Sequence, residues 1–206
     1  MAFLSLSKGD PASRKLLQGA IRMRYGVRPQ SLDSVWLALS AKQKGIFPTI
    51  ITATVAYGPN QWRWTEQRKM LFFKRGSLEE DLSKATDPNV IEGFRRVAWA
   101  FRALMLTPLA QEGVVLQTVP GRAFQTYHEA SPEDVAIVYL TPDDGIAAVE
   151  VERYRPSDRK RLQFMIRPEG QLITFNGLIV PSVLSFQWGS EPPFAYTVTD
   201  AVPNPG

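Results

Sequence analysis

Along the first third of the chain, apolar residues recur at helical spacing and then at strand spacing. In "DPASRKLLQGAIRMRYG", Leu16, Leu17, Ala20 and Ile21 gather on one side of a helical wheel, with Arg14, Lys15, Gln18 and Arg22 on the other. Asp10 supplies an N-cap, Pro11 suits the first helical position, and Gly26 offers a left-handed stop, so the segment reads as an amphipathic helix with a basic outer face. "RPQSLDSVWLALSAKQKG" places Ser31 as a second cap before Val35, Trp36, Leu37 and Leu39 and ends near Gly45, which predicts a second, shorter helix.

From Phe47 the period shortens to two. "PTIITATVAYG" is rich in Ile, Thr and Val, and "QWRWTEQRKMLFFKRG" follows it with Trp62 and Trp64 on one face, Arg63 and Thr65 on the other. Gly58-Pro59-Asn60 is then the turn between two paired strands, with Gly76 ending the hairpin. The two tryptophans read as sheet-covering anchors of a core or an interface; alternation with arginine is also the pattern of a base-stacking platform.

"SLEEDLSKATDPNVIEGFRRVAWAFRALMLTP" returns to helical spacing. Ser77 and Glu80 form a capping-box pair, Asp87-Pro88 restarts a helix, and Ile91, Phe94, Val97, Ala98, Phe101 and Met105 make a stripe suited to packing on a sheet. Arg95, Arg96 and Arg102 lie largely off that stripe, and Trp99 is left as a candidate contact residue. Beyond Pro108 five further segments alternate as strands, with turns expected at Pro120-Gly121, Asp143-Asp144-Gly145, Pro168-Glu169-Gly170 and Asn176-Gly177.

The expected class is therefore α+β: an antiparallel β-sheet or small open barrel, an N-terminal helical pair and one inserted helical segment. The division that follows is a helical element at 1–46, a β-rich domain at 47–200 with the helical insertion near 77–107, and an extended tail at 201–206.

Composition narrows the classes. With 206 residues, 44% apolar and 21% charged, the chain can bury a substantial core. No run approaches the roughly 20 apolar residues of a membrane-spanning helix, and the N-terminus lacks the apolar stretch of a signal peptide. Charge is uneven: residues 1–75 hold 13 Lys and Arg against three acids, a net of +10, and the remainder holds 11 against 17, a net of −6, together giving +4. Such polarity suits contact between copies, an acidic neighbour, or nucleic-acid phosphates.

The search for chemistry is mostly negative. There is no cysteine, and one histidine, His128, so a thiolate or His-rich metal site within one chain is excluded. No nucleophile elbow or phosphate-binding glycine loop accompanies it, and Asp143 and Asp144 fit a turn better than a calcium loop. In "VEVERYRPSDRKRLQF", Glu150 and Glu152 share one strand face with Val149, Val151 and Arg153 on the other, and Arg159, Lys160 and Arg161 surround a protruding turn. Candidate interface or phosphate contacts are thus Lys15, Arg22, Arg24, Arg28, Trp99, Arg159, Lys160 and Arg161, with no catalytic, cofactor or metal residue expected.

"ATVAYGPNQWRWTEQ" and "GVVLQTVPGRAFQTYHEA" together resemble a short β-module of tailed-bacteriophage virion proteins, in Trp64 and Glu66 of the first and Val119, Pro120, Gly121 and Tyr127 of the second. The long helical segment between the halves departs from that pattern. The resemblance implies a non-enzymatic structural protein at the capsid, neck or tail. Its partners would be itself or other structural subunits, with possible non-specific DNA contact and no membrane, in the virion or otherwise the cytoplasm. The alternative is a β-barrel module binding an apolar ligand or chromophore, which a cavity of a few hundred cubic ångströms lined by Trp and Phe would favour. A third reading is a hydrolase or transferase using His128 with an acid.

Overall fold

A computed structural model describes residues 7–26, 32–43, 49–70, 73–155 and 157–204. Two helices and a single 12-stranded sheet account for most of them. The strands are β1 (Lys8–Gly9), β2 (Val35–Gln43), β3 (Thr49–Gly58), β4 (Gln61–Met70), β5 (Phe73–Asp81), β6 (Val114–Val119), β7 (Ala123–His128), β8 (Ser131–Leu140), β9 (Ile146–Arg155), β10 (Lys160–Phe175), β11 (Leu178–Trp188) and β12 (Phe194–Pro203). Their order across the sheet is β1-β6-β7-β8-β9-β10-β11-β12-β2-β3-β4-β5. Every neighbouring pair is antiparallel except β1 with β6.

The first helix, α1 (Pro11–Tyr25), forms as its caps predict. The Asp10 carboxylate accepts from the Ser13 N–H at 2.8 Å, and Gly26 at φ 68° accommodates the exit. The same carboxylate accepts from the Thr118 N–H and hydroxyl, which fastens the helix start to β6. Leu17, Ala20 and Ile21 are buried beneath it.

The expected second N-terminal helix is instead β2. Val35, Leu37, Leu39 and Ala41 are buried while Trp36, Ala38 and Ser40 are half-buried, a period of two. A run in which almost every residue is apolar satisfies both periods, and pairing with β12 on one side and β3 on the other decides for the strand. Ser31, the expected cap, lies outside the described residues. β2 joins the same sheet as the later strands, and β12 runs as far as Pro203.

Ser77 to Asp81 are likewise extended. Gly76 does not end the hairpin; β5 runs through it, paired to β4, and Glu80 is not a capping residue. The helix begins later: Asp87 accepts from the Asn89 N–H at 2.8 Å, Pro88 opens α2 (Pro88–Met105), and Pro108 sits in the short 3-10 turn after it. The turns at Pro120-Gly121, Asp143-Asp144-Gly145 and Asn176-Gly177 all form. Pro168-Glu169-Gly170 does not reverse the chain; it is a bulge within β10, with Gly170 at φ 72°.

The sheet curls around α2, which packs on β8 and β9 along one flank and on β3 and β4 along the other. Its outer strands β1 and β5 do not pair with each other, so the sheet is strongly curved but not a closed barrel. Phe101 of α2 is fully buried at the centre of this curl, 5.1 Å from the Tyr57 ring and 5.3 Å from Trp62.

Candidate functional site: an aromatic cavity on the concave face

Alternation along β4 points Trp62, Trp64 and Glu66 to the concave face. Across the curl, β10 contributes Phe164, β11 contributes Phe186 and Trp188, and β12 contributes Phe194 and Tyr196. Trp64 meets Phe186 and Tyr196 edge-on at 5.7 and 5.6 Å, and Phe164 stacks on Phe186 at 5.9 Å. Together with Phe101 and the half-exposed Leu78 of β5, these rings line a half-open cavity of 360 Å³.

Three carboxylates interrupt this apolar lining, Glu66, Glu80 and, at the rim, Glu191, and the first two each have one arginine and one aromatic donor. Glu66, 4% exposed, accepts from the Tyr196 hydroxyl and from Arg68 Nε, both at 2.6 Å. Glu80 accepts from Trp62 Nε1 at 2.9 Å, and both its oxygens accept from Arg153 at 3.2 Å. Burial, with the Glu66 carboxylate beside it, pushes the Tyr196 phenol far above its ordinary pKa, so it stays protonated and donating.

Arg153 is 3% exposed and stands on β9, seven places along the sheet from β5. Its guanidinium lies 4.9 Å from the Trp188 ring and 5.4 Å from Phe164. The Arg153–Glu80 pair therefore bridges the open seam of the curl and forms one wall of the cavity. At the rim, Arg155 holds Glu191.

No protein-family model and no curated protein matches this chain. Among solved structures it is similar to a DUF1329 family protein from Desulfovibrio piger, at 11% identity over 96% of this chain and 95% of that one, with a TM-score of 0.38. A superposition that loose transfers neither a fold, nor a residue, nor an activity.

The residues singled out from the sequence are not brought together. Lys15 and Arg22 are exposed on α1, and Arg159 and Lys160 are exposed at the β9–β10 turn. Arg161 there is spent on Glu92 of α2, at 2.8 and 2.7 Å. Two of the expected surface contacts are buried. Arg24 donates to the Leu104 carbonyl; Trp99 donates to the Thr126 carbonyl at 3.0 Å, under Arg102. Arg28 lies outside the described residues. His128 sits at the end of β7, accepting from the Ala130 N–H, and does not line the cavity. Asp143 and Asp144 belong to their turn, held by Thr141 and Arg122. No group of three metal-ligating side chains occurs among the described residues.

Sequence reasoning missed that Glu80, Arg153 and the rings of β10 to β12 line one cavity. The available signal was a charged residue on the apolar face of a strand: Arg153 in register with Val149 and Val151, and Glu66 in register with Trp62 and Trp64.

Proposed function

We propose that this chain is a binding module for an apolar, ring-bearing ligand held in the concave cavity. The observation that supports it is the cavity itself: 360 Å³, walled by tryptophan, phenylalanine and tyrosine rings, with a few convergent polar groups. That volume is within the range of small-molecule sites, and a rigid aromatic wall favours a flat occupant because both surfaces keep their shape on contact. Of the three readings open from the sequence, assembly through surface contacts, apolar-ligand binding and hydrolysis or transfer at His128, the cavity favours the second. Arg24, Trp99 and Arg161, offered as surface contacts, are engaged within the chain.

The test is titration with N-phenyl-1-naphthylamine, an uncharged dye that fluoresces when removed from water. Saturable one-to-one binding with quenching of tryptophan emission is expected. Leu78→Trp places an indole at a half-exposed lining position, where the fold tolerates it, and should weaken binding by about tenfold or more. Failure to saturate, or binding indifferent to Leu78→Trp, would overturn the reading.

A further inference from the structure

The lining of the cavity carries more negative than positive charge. Three carboxylates, Glu66, Glu80 and Glu191, stand against two guanidinium groups, Arg68 and Arg153. Arg155, which holds Glu191 from outside the lining, is shared with Asp158 and does not restore the balance. The cation beside Glu66 is also placed to neutralise it poorly: the Glu66 side chain is buried, whereas that of Arg68 is 55% exposed and screened by water.

Rings of this cavity already hold one cation of the chain itself. The guanidinium of Arg153, buried, lies over Phe164 and Trp188. Tyr196, which donates to Glu66, packs against Trp64, Phe186 and Phe194. Among the described residues no guanidinium or ammonium group stands over any of these four rings. Ring faces and an excess of carboxylate attract the same charge. We infer that the ligand is a ring-bearing cation whose nitrogen is quaternary or fully alkylated, seated against Trp64 and Tyr196 beside Glu66. The inference rests on the binding reading above and adds the charge of the ligand to it. Such a cation donates no hydrogen bond, so it needs no free lone pair on carboxylates that are already paired.

Two dyes with one ring system separate the claims. Thioflavin T carries a fixed charge on its benzothiazolium nitrogen, and 2-(4-dimethylaminophenyl)-6-methylbenzothiazole is the same molecule without that N-methyl group and without the charge. Both are titrated against bound N-phenyl-1-naphthylamine, so that only occupancy of the same cavity is read. The cationic dye is expected to bind about tenfold more tightly, as a cation shielded by aromatic rings allows. Glu66→Gln keeps an amide oxygen for Tyr196 and should remove most of that ratio while leaving the affinity of the neutral dye unchanged. Glu191→Gln, at a half-exposed rim position that the fold tolerates, should lower the ratio in part and keeps the test open if Glu66→Gln disturbs folding. A cationic dye that binds no more tightly than its neutral counterpart, or a ratio insensitive to both substitutions, would overturn the inference while leaving the binding reading standing. If N-phenyl-1-naphthylamine and both benzothiazoles fail to bind, both readings fail.

Discussion

Removing the cation from the seam is the sharpest perturbation of this fold. In Arg153→Met a side chain of similar length keeps contact with Trp188 and Phe164, but Glu80 loses both hydrogen bonds from the guanidinium. Breaking a buried pair from one side costs about 3–5 kcal/mol. Glu80 is 17% exposed and retains the Trp62 N–H, which places this case at the low end, about 3 kcal/mol. Most of that loss is an unpaired charge and not a missing contact, so neutralising the partner should restore part of it. Arg153→Met/Glu80→Gln keeps an amide oxygen for Trp62 and leaves no buried charge; it should recover about 1–2 kcal/mol relative to the single variant. Urea unfolding followed by tryptophan emission, with the denaturant slope checked for constancy, reads all three chains. The seam argument would be refuted by an Arg153→Met variant within about 0.5 kcal/mol of the parent, or by a double variant no more stable than the single.

Two further outcomes follow from the flank of α2 that packs on β8 and β9. Asp134 of β8 is buried beside Arg95 and Arg96, and burial, aided by Glu133, raises its pKa to about 6 against the pull of those arginines. The folded chain then holds this proton more tightly than the unfolded one, so its contribution to stability falls as pH rises from about 4 to about 6 and is constant above. Asp134→Asn should remove that slope from unfolding midpoints measured across the interval, and parallel curves for the two chains would refute the assignment. Gly93→Ala should destabilise although alanine favours helix by about 1 kcal/mol, because its Cβ would stand 3.1 Å from the Tyr154 carbonyl oxygen in a paired strand. A lower thermal midpoint is expected, and a higher one would show that β9 yields.

The elements that were legible in the sequence are those whose ends carry local chemistry. Asp10-Pro11, Asp87-Pro88 and Asn176-Gly177 each satisfy or bend the backbone with their own atoms, and all three do as their residue types require. The misread elements are those in which distant partners decide. Val35 to Leu39 has helical composition, and two neighbouring strands, one drawn from the far end of the chain, override it. Ser77 and Glu80 have the spacing of a cap, and the ladder with β4 together with Trp62 and Arg153 claims them instead. Trp62 and Trp64 were placed correctly on one face of a strand, but nothing near them in sequence announces Phe164, Phe186 and Tyr196, which reach them only because the sheet curls.

The polar content of that concave face is itself an argument about what it is for. A sheet wrapped around a helix needs an apolar interior, and α2 supplies Phe94, Val97, Phe101 and Leu104 for that purpose. Burying Glu66 and Arg153 among the rings, with Glu80 partly buried beside them, adds desolvation that a Leu or Met at the same positions would avoid, since apolar replacement of such pairs is commonly neutral or stabilising. Packing alone does not account for these charges.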